Sequence, residues 1–393
     1  MAPVDDTPKT VLSLICLNPV KFGSYEEFEL RLAERMTGAG LRHVKVFVAY
    51  PPPNLRERLE ESGAVMDFLP VIRSRFAYYQ EAMNLFRRYR PQVLHLSFFP
   101  ILTPLIHLGR MAGIRKILFT DHSSGMPSEK GWAKSKIYSG LNRINSASIH
   151  KVLAVSKFVR RRLIEKSMMA PEKVQVVYNG INPERFRPLA HKPDHIPDLE
   201  LPGGRPVYSV VANLIREKGI DHFLRAAEIL IRKGSKATFL VVGTGTEFRA
   251  LKEFAQERNL GRQVVFTGIR SDVEKLIQYT DVFITPSLWQ EAFGLANIEA
   301  MSCRLPVISS RVGAIPEVVE DGQTGLLVEP GDPQALADAM ERLAADPELM
   351  RRLGEAGRQR VLDKFTLDRQ VEETFQAYVG LLGAQKYPAP PEN

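Results

Sequence analysis

Cysteine is nearly absent. Cys16 and Cys303 are the two thiols in 393 residues. They lie far apart in apolar or helical contexts, which excludes a disulfide framework and reads as buried thiols in a reducing cytosol. Long hydrophobic runs are absent too: the longest, FFPILTPLIHLG, has 12 residues with prolines and a histidine inside it, too short to span a bilayer. The opening MAPVDD is acidic where a secretory leader needs basic residues, so a cytoplasmic location is expected. No low-complexity tract marks disorder. No zinc spacing, RNP-like motif or basic reading helix marks a nucleic-acid binder, and no nucleic acid is expected as a partner. The glycine-rich strand-to-helix turn VVGTGTE makes Gly243 a candidate ligand-binding position, although it lacks both the third glycine of a dinucleotide fingerprint and the lysine of a P-loop.

What is present suits a soluble globular protein: 44% hydrophobic and 25% charged residues, in a chain long enough for two domains. The net charge of +8 is unevenly spread. Residues 1–190 hold 29 Lys+Arg against 16 Asp+Glu, a net +13, and residues 191–393 a net −5. A basic half suits an anionic partner such as a membrane surface or a phosphorylated substrate, although clusters such as RRYR (87–90) equally read as solvated helix faces.

Strand-like runs (TVLSLICL, VKVFVAY, VLHLSFF, KILFT, KVLAVS) alternate with helical segments such as YEEFELRLAERM, FAYYQEAMNLFRRYR and KFVRRRLIEKS. That alternation predicts a mostly parallel sheet with helices on both faces. A proline-rich stretch, RPLAHKPDHIPDLELPGGRP, interrupts it and reads as a linker. The alternation then resumes through VYSVVANL, ATFLVVGTG, QVVFTG, DVFITPS and PVISS, so the fold class is α/β with two Rossmann-like domains in tandem.

In such sheets ligands gather at the carboxyl ends of strands. SLWQEAFGLANIEAM (287–301) lies at one such end, with Gly294 permitting a tight turn into a helix whose free N–H groups suit an anion. Glu291 precedes the turn and Glu299 lies one turn into the helix, on the face of Leu295, so one ligand lying over the turn could touch both. A nucleotide sugar has that layout of sugar, diphosphate and ribose. The same acids also read as a solvated loop residue and a complement to the helix dipole, and spacing alone leaves both readings open.

SLWQEAFGLANIEAM resembles the E-x7-E motif of family 4 retaining glycosyltransferases. VVANLIREKGID, VVYNGINPERFRP and PVISSRVGAIPEVVEDGQTGLLVEPGD are similar to that family's segments in the same order. The resemblance covers about residues 149–372 strongly and the first 148 more loosely, as for a half that binds a variable acceptor. It implies the GT-B architecture, two facing Rossmann-like domains with a cleft between them. The expected domains are 1–190 for the acceptor, a linker over 191–204, 205–372 for the nucleotide sugar, and 373–393 as a helix crossing back to the first domain and a tail.

Carried over, the resemblance implies that Glu291 binds hydroxyls of the donor sugar and Glu299 the ribose. It places the diphosphate on backbone groups of Phe293, Gly294 and Leu295, with Lys218 neutralising its charge and Ala292 beside them in the donor site. Gly23 and Ser24 would approach the distal phosphate, and His122 would stand near the anomeric centre, where a lone histidine otherwise reads as a local hydrogen-bonding residue. Ile269 and Arg270, in GIRSD, lie where the base is selected.

Three departures are visible. Asn213 replaces a common arginine, Arg304 occupies a usual glycine position, and GSYEE lacks a frequent second glycine. Arg216 is the candidate to supply the charge that Asn213 lacks. The implied activity is retaining, metal-independent hexosyl transfer from a nucleotide-diphosphate sugar, expected to be a UDP-sugar, to an acceptor hydroxyl, without a cofactor. Both glutamates are assigned to hydroxyl binding and no other carboxylate stands out as a nucleophile, so front-face attack is the implied route. The acceptor is left as an anionic or lipid-linked molecule, with peripheral contact at an anionic membrane. A GT-B sugar-nucleotide epimerase and, behind it, a nucleic-acid-binding protein are the alternatives.

Overall fold

The computed structural model describes residues 8–18, 22–70, 74–123, 144–191, 199 and 204–383. The chain forms two compact units, one of residues 1–178 with 368–393 and one of residues 179–367.

The first unit is a seven-stranded sheet of β1 (Thr10–Ile15), β2 (Arg42–Phe47), β3 (Val65–Phe68), β4 (Val93–Ser97), β5 (Lys116–Asp121), β6 (Lys151–Ala154) and β7 (Val174–Val176). All its pairings are parallel, in the order β3-β2-β1-β4-β5-β6-β7. Its helices are α1 (Ser24–Gly38), α2 (Pro53–Glu61), α3 (Arg75–Tyr89), α4 (Leu105–Met111) and α5 (Lys157–Ser167). β1 reads TVLSLI and is buried at every position, as a strand covered on both faces must be. The strand order reverses between β1 and β4, where Ile15 pairs with Ser97, and a crevice opens at such a switch point.

The second unit is a six-stranded parallel sheet ordered β10-β9-β8-β11-β12-β13. Its strands are β8 (Gly204–Val211), β9 (Ala237–Val242), β10 (Val264–Gly268), β11 (Val282–Thr285), β12 (Val307–Ser310) and β13 (Leu326–Val328). The helices are α6 (Ile220–Arg232), α7 (Phe248–Glu257), α8 (Val273–Tyr279), α9 (Leu295–Ser302), α10 (Ile315–Val318), α11 (Pro333–Ala345) and α12 (Pro347–Lys364). On α6, Ile220, Phe223, Leu224, Ala227 and Leu230 recur every three or four residues and fill the core with Phe239 and Val241 of β9. A large apolar side chain buried this way contributes about 1.5–3 kcal/mol. The switch point here lies between β8 and β11.

The last helix, α13 (Leu367–Leu382), packs with the first unit over an unusually polar sheet face. Tyr378 Oη lies 2.7 Å from His95 Nδ1 and 3.3 Å from Ser13 Oγ, and Ser13 Oγ lies 2.8 Å from His43 Nε2. Arg35 donates to Glu372 at 2.9 Å and stacks 3.7 Å over the ring of Phe375. Burial holds the imidazoles of His43 and His95 below their ordinary range, His95 down to about 3.

Some elements differ from the sequence reading. β3 and β7, of four and three residues, are too short to stand out as apolar runs. The boundary expected at residue 190 falls at 178/179. Segment 179–190 stays with the second unit because Ile181 exchanges backbone hydrogen bonds with Phe365 and Leu367, Arg187 O accepts from Gln278 Nε2 at 2.9 Å, and Phe186 is buried. Most of the expected linker lies outside the described residues. Cys303 is buried as expected, but Cys16 is only half-buried, where β1 ends. Among the described residues no helix is long and apolar enough to cross a membrane.

Candidate functional site

The second unit's switch point holds a cavity of about 280 Å³. Its walls include Asn213 after β8, Lys218, Ser287 and Glu291 after β11, and Gly294 and Asn297 at the start of α9. Lys218 closes a 3-10 turn (Arg216–Lys218), and Gly219 follows it with φ 63°. A Cβ at Gly219 would sit 2.1 Å from Pro286 O, so only glycine lets this turn press on the loop after β11. Glu217 O then accepts from the N–H groups of Leu288 and Trp289, at 2.9 and 3.3 Å.

That docking brings Lys218 Nζ to 2.6 Å from Glu291 Oε1, which also accepts from Ser287 Oγ at 2.6 Å. Behind Glu291, its carbonyl accepts from Ala314 N at 2.9 Å, and Gln290 Oε1 accepts from Gly313 N at 2.6 Å. Gly294 takes the left-handed conformation (φ 96°, ψ 55°) that starts α9, one a side chain would strain. Asn297, wholly buried, accepts from Thr285 Oγ1 at 2.8 Å and Ser309 Oγ at 3.0 Å, tying the first turn of α9 to the ends of β11 and β12. The result is a cation, a carboxylate and a helix N-terminus on one cavity, able to meet an anion and hydroxyls together.

At the first unit's switch point, Gly23 caps α1 and donates its N–H to Glu26 Oε2 at 2.9 Å, with Ser24 buried beside it. His122 follows β5. Its ring stacks on Phe98 at 4.0 Å with a 6° interplanar angle, and Tyr25 meets it edge-on at 5.7 Å. Burial pushes this imidazole down to about 3, so near pH 7 it is a neutral hydrogen-bonding group. Among the described residues no three His, Cys, Asp or Glu side chains cluster as a metal site.

Two family models cover most of the chain: Glycosyltransferase Family 4 over residues 27–185 and Glycosyl transferases group 1 over residues 191–360. The GDP-mannose-dependent alpha-(1-6)-phosphatidylinositol monomannoside mannosyltransferase of Mycolicibacterium smegmatis is 32% identical over 284 residues, 68% of this chain and 72% of that protein. This chain belongs to glycosyltransferase family 4. The alpha-maltose-1-phosphate synthase of the same species is 31% identical over 259 residues, 62% of this chain and 66% of that protein, just under two thirds of its length. The glycosyltransferase of Rickettsia africae shares the fold, with a TM-score of 0.78 at 22% identity over 96% of this chain and 100% of that one.

Of the residues singled out in this family 4 chain, Asn213, Lys218, Glu291, Gly294 and Leu295 meet on the cavity. Arg216, Gly243, Ile269, Arg270, Ala292, Phe293 and Glu299 do not line it. Phe293 turns inward onto Phe365 at 5.5 Å, Ile269 is 73% exposed, and Arg270 grips Asp272 with two bonds of 2.8 Å. Gly243 donates its N–H to Gly268 O at 2.9 Å. Ser287 and Asn297 escaped the sequence reading, although an asparagine inside the apolar helix LANIEAM is a visible signal. Tyr25, in the first turn of α1, and Phe98, directly after β4, escaped it too, because no motif marks either aromatic. Arg304, at the position where the resemblance implies a glycine, has φ 61°, in the left-handed region that favours glycine.

Proposed function

We propose that this glycosyltransferase moves a hexose from a nucleotide-diphosphate sugar to an acceptor hydroxyl with retention of configuration. The observation that carries the reading is the Lys218–Glu291–Ser287 constellation on the cavity beside the N-terminus of α9. The arriving diphosphate takes Lys218 and the N–H groups around Gly294 and Leu295, and it frees the Glu291 carboxylate to accept from hydroxyls of the sugar. Glu299 takes the ribose. As the glycosidic bond breaks, negative charge grows on the leaving phosphate, where a cation already in place stabilises it without reorganising. The leaving oxygen then accepts the proton of a hydroxyl attacking from the same face. Lys218 supplies the charge, so the proposal requires no metal ion.

The first unit, with His122 at its switch point, is assigned to the acceptor. An anionic or lipid-linked acceptor met at an anionic membrane fits the net +13 of residues 1–190. The mannosyltransferase relative's named acceptor, a phosphatidylinositol mannoside, has that character.

A thermal-shift screen of UDP-, GDP- and ADP-sugars tests the donor, with UDP proposed and GDP, the nucleotide in that relative's name, as its rival. A donor at 100 times its Kd stabilises by about 2.7 kcal/mol. Product from EDTA-treated enzyme, with the donor's anomeric configuration, is the expected result. No response to any nucleotide sugar would end the reading, and an inverted product would end the retaining part of it.

A further inference from the structure

We propose that Tyr25, anchored by the buried Glu29–Lys45 ion pair, is the positioning residue that fixes the ring of His122 at the first unit's switch point. What the ring does in the reaction rests on the glycosyl-transfer reading; the brace itself does not.

His122 follows directly on β5, and its side chain needs external support to hold one orientation. Two rings supply it. Phe98, in a left-handed conformation (φ 63°) directly after β4, lies flat on the imidazole at 4.0 Å. Tyr25 stands perpendicular to both, its centroid 5.7 Å from His122 and 4.9 Å from Phe98, with interplanar angles of 90° and 84°. Stacked and edge-on contacts are the favoured aromatic geometries, and together they fix a ring in two directions.

Tyr25 is itself held. Its hydroxyl donates to Glu29 Oε1 at 2.6 Å, one helical turn along α1, and Glu29 Oε2 pairs with Lys45 Nζ of β2. The side chains of Lys45 and Glu29 are 0% and 4% exposed. A buried ion pair pays heavily in desolvation and is weak evidence for stability by itself. Here it fixes the carboxylate that fixes the phenol. The chain of contacts runs Lys45, Glu29, Tyr25, His122, from β2 through α1 to the end of β5. Burial alone holds His122 uncharged, while His95 of β4 is held down by burial first and then by His122 and Lys45.

The test is ring NMR of the full chain with labelled histidine, His122→Gln assigning the signal. In the wild type His122 is expected to stay uncharged above pH about 4. In Tyr25→Leu, which opens one side of the ring to water, its midpoint should rise by about one pH unit or more. Tyr25→Phe keeps the ring and cuts the tie to Glu29. It should raise the midpoint less, and lower kcat for release of UDP from UDP-glucose roughly tenfold while the Kd for UDP stays within about twofold. A midpoint in Tyr25→Leu equal to the wild type overturns the proposal. If that variant does not fold, an unchanged midpoint in Tyr25→Phe overturns it. Wild-type enzyme that releases no UDP counts against the proposed donor alone, and the titration still decides the brace.

Discussion

Lys218 Nζ lies 2.6 Å from Glu291 Oε1, and the two side chains keep 32% and 17% of their surface exposed. The cation assigned to the diphosphate therefore already holds the acid assigned to the sugar. A pair this close to water contributes about 0.2–1 kcal/mol to stability, so substitutions here report on binding and turnover more than on folding.

Lys218→Met should weaken UDP binding by roughly 10- to 100-fold, the loss of one charge-assisted hydrogen bond. Glu291→Gln should leave UDP affinity unchanged or improve it, because Lys218 no longer has a competing carboxylate, yet turnover should collapse. Glu299→Ala should weaken UDP and intact donor alike. Calorimetry with UDP separates the three, and equal losses of UDP affinity in Glu291→Gln and Glu299→Ala would sink the assignment.

Arg216 is exposed in the same turn as Lys218, off the cavity wall. If it supplies the charge that Asn213 lacks, it acts when the diphosphate departs. Arg216→Ala should then cost about 2–4 kcal/mol in kcat/KM, and Asn213→Arg in that background should restore part of it. Wild-type turnover by Arg216→Ala would leave Lys218 as the sole clamp.

Arg304 is exposed at φ 61°, a conformation that costs a side chain about 1–2 kcal/mol. Its charge also acts on Arg358, whose guanidinium is held below its usual range first by burial and then by Arg304. Arg304→Gly should stabilise by up to about 1 kcal/mol, after the extra entropy of an unfolded glycine is deducted. Urea denaturation checks it, and a lower midpoint would show that the arginine side chain contributes more than its backbone strain costs.

The pH dependence of stability follows from the imidazoles of buried His43 and His95 and of half-buried His122. His95 and His122 are pushed down to about 3 from 6.5, and His43 is lowered as well, burial coming first each time. Below pH 6.5 the unfolded chain takes up protons that the folded chain refuses, so stability present above that pH is lost on acidification toward the folded values. Each such group gives a slope of up to about 1.4 kcal/mol per pH unit in that window. Urea midpoints at pH 7.5, 6.5 and 5.5 should fall across the last interval, and His95→Gln should show a shallower fall. An equal slope in the variant would mean that other groups carry the acid sensitivity.

Membrane contact is tested by sedimentation with anionic and neutral vesicles. The net +13 of residues 1–190 predicts preference for anionic vesicles at low salt, lost as salt rises, with each well-placed basic side chain contributing about 1 kcal/mol. Equal binding to both, with transfer to a neutral soluble acceptor, would leave the charge as ordinary surface.

The order of strands and helices was legible along the chain because apolar period is a local property: TVLSLI and ATFLVV declare buried strands, and IDHFLRAAEILIR declares a helix with one apolar stripe. The turn at Gly294 and the acids around it were legible for the same reason, since a turn and its neighbours lie within one short stretch. Tertiary structure alone decided what lies 73 residues apart, the contact of Lys218 with Glu291, which depends on Gly219 being small enough to meet Pro286. It alone placed segment 179–190, whose partners Phe365, Leu367 and Gln278 come much later in the chain. It alone joined Lys45, Glu29 and Tyr25 to His122. No local pattern encodes which side chains converge at a switch point, because the sheet brings together strand ends that the sequence separates by tens of residues.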